Sequence, residues 1–368
     1  MARKKKDPGD GAREAPTKPV NLRTLADHLG LSPATLSLVL NNSPGAKAIP
    51  AETKDRIIKA AAKFDYRPNP IARSLRSQRT YTLGVLLPEL SDPYSALVLG
   101  GIEDFLLQEN YFFLIASHRH DERLIDQYTQ LFVERRVEGL IVVDTPPRRP
   151  NHLPVVAVSR HDEIEGVTNI VLDHERAAHL ALEYLASLGH SRIAVFKGQE
   201  WSSDTEERLE WIRQVAPRVG LTIKPSLIVQ LDGEVASPEP GYVAAKKLLA
   251  SGEPFTALFA FNDTSAIGAI RTFHEAGLMV PRDISVIGFD DWYGAAFHNP
   301  ALTTIRQPLV QMGRMAAEIV IRRIAEGPAA RSAQAVTVEP ELVIRQSTAA
   351  AIAEVRGEAK AGRSTARR

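Results

Sequence analysis

With 368 residues, 44% of them hydrophobic, the chain is long enough for two or three cored domains, and its lack of cysteine excludes disulfides, thiolate metal sites and a thiol nucleophile. No apolar run approaches the roughly 18 residues of a membrane span, and the opening Met-Ala-Arg-Lys-Lys-Lys-Asp-Pro has no apolar stretch behind its charges, so the expectation is a cytoplasmic protein without membrane contact. The net charge of +1 hides an asymmetry: residues 1–80 carry 16 Lys/Arg against 7 Asp/Glu, a basic head on an acidic body.

Residues 1–19 are rich in Lys, Pro and Gly without apolar periodicity and are expected to be a disordered basic tail. From Asn21, a cap residue, Leu22, Leu25, Ala26 and Leu29 share one helical face, and Gly30 suits a left-handed stop. Ser32 caps a second helix with Pro33 at its first position and Leu36, Val39 and Leu40 as its buried face. A third begins near Pro50 and uses Ile57, Ile58, Ala61 and Phe64. Two helices joined by a tight glycine-containing turn, closed by a third, make a helix-turn-helix over residues 20–68. On the second helix Ala34, Thr35, Ser37 and Asn41 present a small polar face suited to the major groove.

Pro68-Asn69-Pro70 then breaks the third helix and restarts a shorter one, Ile71–Arg76, within a hinge over residues 69–80. Six residues are too few for a stable isolated helix. Ala72 is small enough for close packing against a twin, Leu75 is an exposed apolar wedge, and Arg73, Arg76 and Arg79 suit phosphates.

Beyond Tyr81 the rhythm alternates. Short apolar runs at 83–87, 112–116, 140–143, 155–158, 193–196, 227–229, 257–261 and 285–289 read as buried strands. Amphipathic stretches such as 96–108, 124–135, 177–188 and 265–276 lie between them. Such alternation predicts parallel sheets with helices on both faces, and eight or so strands suggest two sheets. The last residues, 351–368, read as a frayed tail.

The segment Leu22-Arg-Thr-Leu-Ala-Asp-His-Leu-Gly-Leu-Ser-Pro-Ala-Thr-Leu-Ser-Leu-Val-Leu-Asn41, with Glu52-Thr53, Asp65-Tyr-Arg-Pro-Asn69 and Ile71-Ala-Arg-Ser-Leu-Arg76, resembles the LacI/GalR family of bacterial transcriptional regulators. The resemblance continues through Leu83-Gly-Val-Leu-Leu-Pro88, Ser91-Asp-Pro-Tyr94, Gly189-His190, Phe261-Asn-Asp263, Gly288-Phe-Asp-Asp291, Thr303-Thr-Ile-Arg-Gln307 and Pro340-Glu-Leu-Val-Ile-Arg345. It implies an all-α headpiece joined to an α/β, two-lobed, periplasmic-binding-protein-like sensor over 81–350. The first lobe would take about 81–172 and 308–337, the second about 173–307 and 338–350. It further implies a homodimer, pairing around Ala96–Glu109 and Leu309–Arg322, on a palindromic operator whose minor groove is kinked at its centre. Thr24, Ser32, Pro33, Ala34, Thr35, Ser37, Asn41, Asn69, Ala72, Arg73, Leu75 and Arg76 would contact that DNA, with Leu75 as the wedge.

By the same resemblance a small effector, a sugar or sugar derivative, lies between the lobes. Arg208 matches a residue that grips it, Asp290 a carboxylate that accepts its hydroxyls or amines, and Asn262 and Gln307 match lining polar groups. Tyr94 matches a stacking aromatic. Ser159 stands where the family commonly has aspartate, and Leu38 where it usually has a guanine-reading arginine, so neither ligand nor operator carries over unchanged. Arg119, His120 and Asp144 are weaker candidates near strand ends.

Other functions fit less well. A sugar-transport protein of the same fold needs an export signal and no basic headpiece. An enzyme such as a sugar kinase needs a phosphate-cradling glycine loop, which the sequence lacks. His118-Arg-His120-Asp121 and His161-Asp162 have no metal-ligand spacing. Asp290 and Asp291, as strand neighbours, point to opposite faces and make a poor acid/base pair. No catalytic residue, cofactor or metal is therefore expected.

Overall fold

The computed structural model describes residues 20–41, 43–66, 79–148, 153–162, 164–233, 236–327 and 334–351. The expectations for the tail 1–19, for hinge residues Asn69, Ala72, Arg73, Leu75 and Arg76, and for 352–368 lie outside them. The chain divides into two compact units, residues 1–80 and 81–368.

In the first unit α1 spans Leu22–Leu29, α2 Pro33–Leu40 and α3 Ala51–Lys63. The Asn21 side chain accepts from the Thr24 amide, and Gly30 stops α1 at φ 66°, a conformation only glycine adopts without strain. Ser32 caps α2 by accepting from the Thr35 amide, with Pro33 at the first position. Leu25, Ala26, Leu36, Ile57, Ala60 and Ala61 form the core of this unit. Ile58 does not join them: it lies one position off the buried stripe and is 57% exposed. The polar stretch after α2 folds as a 3-10 turn, Pro44–Ala48, and Leu38 packs over Gly45 within it.

The second unit holds two six-stranded sheets. The first contains β1 Thr82–Leu87, β2 Phe112–Ser117, β3 Leu140–Val143, β4 Val155–Val158, β5 Val167–Leu172 and β11 Gln334–Val338, ordered β11-β5-β4-β3-β1-β2 and parallel throughout. The second contains β6 Ile193–Lys197, β7 Ile228–Gln230, β8 Ala257–Phe259, β9 Ser285–Asp290, β10 Thr303–Arg306 and β12 Glu341–Val343, ordered β12-β10-β9-β8-β6-β7. Only β12 runs antiparallel, against β10. The all-apolar runs of β3 and β4 are buried at every position, as central parallel strands covered on both faces must be. Four strands escape a search for apolar runs: β10 and β12, which only the family resemblance marked, and β5 and β11. β5 carries Thr168 and Asn169, and β11, which pairs with it at the sheet edge, carries Gln334 and Thr337.

Helices α4 Pro93–Gln108 and α5 Glu122–Glu134 follow β1 and β2, and α6 His174–Ser187 and α7 Asp204–Arg218 follow β5 and β6. Next come α8 Glu239–Ala250, α9 Asp263–Glu275, α10 Tyr293–Phe297 and α11 Leu309–Glu326. The helices expected to face a partner subunit, α4 and α11, pack on each other. A Cβ on Gly101 would meet the Val310 carbonyl oxygen at 1.9 Å, and one on Gly313 the Val98 carbonyl oxygen at 1.9 Å. This backbone-to-backbone crossing leaves only the outer edges of the pair, such as half-exposed Val310 and exposed Leu107, for another chain. Among the described residues no helix is long and apolar enough to cross a membrane.

Candidate functional site

On the first unit Thr24, Ser32, Pro33 and Ala34 are exposed, while Thr35, Ser37 and Asn41 are half-buried. Thr24 and Ser32 spend part of their polar capacity on caps: the Thr24 hydroxyl donates to Asn21 Oδ1 at 3.1 Å, and Ser32 Oγ lies 2.9 Å from Thr35 Oγ1. Asn41 donates from Nδ2 to the Ser37 carbonyl at 2.8 Å, which turns its amide back along α2. The surface is small, polar and uncluttered, so a helix bearing it can approach a groove closely.

The second unit has its cleft where the carboxyl ends of the two sheets meet, the usual place for a ligand in open α/β sheets. The space there opens to solvent and is lined by both polar and aromatic side chains, as small-molecule sites are. Tyr94, Arg208, Asn262, Asp290 and Gln307 line it, together with His120 and Asp144. Ser159 does not: it is buried behind Tyr94, whose hydroxyl donates to Ser159 Oγ. Arg119 is not a lining residue either. Several strand-end residues here have left-handed backbones, with φ 36° at Asp144, 55° at Ser159 and 104° at Asp290, a strain that commonly gathers at functional sites.

Arg208 is the central cation. It rises from α7, is buried, and donates through Nη1 to the Phe261 carbonyl at 2.5 Å. Its Nη2 lies 3.4 Å from Asp204 Oδ2, and its guanidinium stacks 3.5 Å from the centroid of the Phe289 ring. Nε has no hydrogen-bond partner among the described residues. Opposite, Gln307 Nε2 donates to Asp290 Oδ1 at 2.7 Å, leaving Gln307 Oε1 buried and unmatched. Asn262 does double duty: its Oδ1 accepts from the Ser265 amide at 2.8 Å to cap α9 while the residue lines the cleft. Asp263 and Asp291 turn away: Asp263 accepts from Thr304 and from the Trp292 amide, and Asp291 pairs with Arg306 and Arg345.

The cleft is rich in buried carboxyls. Burial pushes Asp290 up to about 8, against the opposing pull of Arg208 and Gln307. It lifts Asp144 to about 7, helped by the Asp204 charge, and Asp92 to about 6. Asp204 behaves oppositely. Burial alone would raise it, but the imidazoles of His174 and His161 and the Arg208 guanidinium hold its carboxyl far below the usual range.

Three groups were not legible as site residues: Trp201, Asp204 and Glu89. Trp201 stacks on His120, ring centroids 3.9 Å apart and planes 30° from parallel, joining a loop after β6 to one after β2. The Glu89 carboxylate accepts from the Ala236 amide at 3.1 Å, and Ser203 Oγ donates to the Ser159 carbonyl at 2.8 Å, so the two lobes touch across the cleft. Position after a parallel strand was the available signal for Trp201 and Asp204, which follow β6.

A small-polar helix-turn-helix unit and a two-sheet unit with a polar cleft between its sheets together define the class of ligand-responsive DNA-binding regulators. Residues 21–69 match the model for bacterial regulatory proteins of the lacI family, and residues 182–348 that for a periplasmic binding protein-like domain. The chain is 31% identical to an HTH-type transcriptional repressor PurR of Aliivibrio fischeri over 336 residues, spanning 89% of this chain and 97% of that protein. It is 30% identical to the PurR of Pasteurella multocida over 335 residues, 89% of this chain and 98% of the relative. Its structure superposes on the lac repressor dimer bound to operator and the anti-inducer ONPF with TM-score 0.80 at 26% identity, covering 90% of this chain and 100% of that one. The fold also matches a CelR–cellobiose complex, TM-score 0.66 at 23% identity, over 89% of this chain and 99% of that one. The chain belongs to the lacI family of bacterial regulatory proteins.

Proposed function

We propose that this protein is a sequence-specific transcriptional repressor, acting as a cytoplasmic homodimer, whose operator affinity is set by a small effector held between the lobes. It is a binding protein and not an enzyme. The observation that carries the reading is the pairing, in one chain, of an exposed small-polar recognition helix with a cleft whose central Arg208, Asp290 and Gln307 are already desolvated. The sensor divides, on this reading, into a lobe of about 81–172 and 308–337 and one of about 173–307 and 338–350.

The effector is a neutral polyol of sugar type. The cleft's cation, Arg208, is already paired with Asp204, while Asp92, Asp144 and Asp290 supply carboxyl groups that bond hydroxyls, an arrangement that favours a polyol over a phosphate or sugar acid. Arg208, Asp290, Asn262 and Gln307 contact it directly, Tyr94 packs against it, and Ser159 acts through Tyr94. A ligand that prefers one lobe arrangement shifts that equilibrium, and the hinge carries the shift to DNA. Asn69, Ala72, Arg73 and Arg76 serve there as cap, packing and phosphate contacts, with Leu75 entering the minor groove.

The test is capture of genomic DNA fragments on the full chain, with and without a panel of neutral, phosphorylated and acidic sugars. Recovery of one palindromic sequence, altered by a neutral sugar, supports the reading, and recovery of no specific fragment under any condition ends it. In the same assay Leu75→Ala loses preference for the recovered site while keeping low-salt binding to random DNA.

A further inference from the structure

The geometry points to a divalent transition-metal site, suited to zinc, formed by His161, His174 and Asp204 where the two lobes meet. The three ligand atoms lie within 4.8 Å of one another. Asp204 Oδ1 is the shared point, 2.8 Å from His161 Nε2 and 3.3 Å from His174 Nε2. Two imidazole nitrogens and a carboxylate oxygen are a common zinc donor set, with metal–ligand bonds of roughly 2.0–2.2 Å and an open fourth position. A tetrahedral ion needs donors roughly 3.4 Å apart, so small side-chain adjustments suffice.

A second feature marks the place as built for a ligand. His174 is buried; its Nδ1 has no hydrogen-bond partner among the described residues, and its Nε2 has only the Asp204 carboxylate, at 3.3 Å and off good hydrogen-bond geometry. Buried polar atoms without a partner are rare and costly. A cation accepting that Nε2 lone pair satisfies it. The carboxylate divides its labour suitably, since Oδ2 faces Arg208 while Oδ1 is turned to the imidazoles.

The ligands come from both lobes. His161 follows β4 of the first sheet, whereas His174 and Asp204 begin α6 and α7 in the layers of the second. A bound ion therefore ties the lobes together beside the effector cleft, and stabilises the arrangement described above by linkage. The site is spread over 43 positions, with no two ligands at a motif spacing, which is why the sequence concealed it.

The experiment is titration of the metal-stripped full-length protein with Zn²⁺ by calorimetry, and with Co²⁺ by visible absorption. One high-affinity equivalent per chain is expected, with the d–d bands of nitrogen-ligated, low-coordinate cobalt. His161→Ala, at a partly exposed position, should weaken binding by roughly a hundredfold or more while circular dichroism stays unchanged. Equal binding by wild type and His161→Ala assigns the ion to other histidines and overturns the site, as does no binding at all. X-ray absorption of the zinc-loaded wild type decides independently of any variant: two imidazoles support the site, one or none refutes it. A failure here leaves the repressor reading untouched, because that reading rests on DNA capture.

Discussion

The headpiece and the sensor cleft solve opposite solvation problems. The candidate DNA-facing residues of α2 lie exposed or half-buried, with Ser32 capping the helix, so meeting a polyanion would cost them little desolvation. The cleft groups are stripped of water in advance: Arg208, Asp290 and Gln307 are buried, and Asp290 is held protonated well into neutral pH. A surface that reads DNA depends on shape and charge at long range, whereas a pocket that reads one small molecule depends on a few unsatisfied polar atoms. The price of that selectivity falls on folding stability, and it falls on the sensor alone.

The sharpest way to break this contrast is Arg208→Ala. Removing the cation takes the guanidinium from the buried Asp204 carboxylate and from its stack on Phe289, so unfolding free energy falls by about 3–5 kcal/mol and the effector response disappears, while operator binding without effector persists. Chemical denaturation and fluorescence anisotropy on labelled operator measure the two; an intact effector response would remove Arg208 from the site.

Asp290→Asn has the next largest effect, and its sign depends on pH. The folded chain keeps the Asp290 proton up to about 8, while an unfolded aspartate releases it near about 3.9. The folded state thus binds more protons across that window, and stability falls as pH rises through it. The asparagine variant should show a flatter profile of melting temperature against pH, be more stable than wild type at alkaline pH, and bind effector more weakly. Parallel profiles for the two proteins would mean that Asp290 is ionised in the fold.

Ser32→Ala is the smallest of the three and belongs to the other region. It removes the cap on the Thr35 amide and costs the headpiece about 1 kcal/mol. Operator affinity should fall modestly and effector affinity, by calorimetry, should not change. A loss of effector affinity would show the two regions to be coupled in the absence of DNA.

The sequence revealed the two regions unevenly. Caps at Asn21 and Ser32, the glycine stop at Gly30 and the apolar strands announce themselves through local chemistry, and these elements form where the pattern places them. Ile58 failed because a single-position slip on a helix is invisible to periodicity. β5 and β11 failed because their polar residues interrupt the apolar run, and the two strands are defined by pairing with each other across the chain. In the cleft, Tyr94, Asn262, Asp290 and Gln307 were found through strand ends and family pattern, and the structure sets them around one space. Ser159 was assigned to the ligand by alignment with a longer side chain, and a serine there reaches only Tyr94. Asp204 and Trp201 stayed hidden because His161 and His120, which they meet, lie far away along the chain, at separations no local motif encodes.

The stack of Trp201 on His120 gives the molecule an optical reporter of its own. An indole held against an imidazole is quenched, and more strongly once the imidazole gains a proton. The other two tryptophans stand elsewhere: Trp211 within α7 and Trp292 at the cap of α10. A change in intrinsic emission on adding a candidate sugar, present in the wild type and lost in Trp201→Phe, would register the parting of these two rings, read from an unlabelled sample in a cuvette.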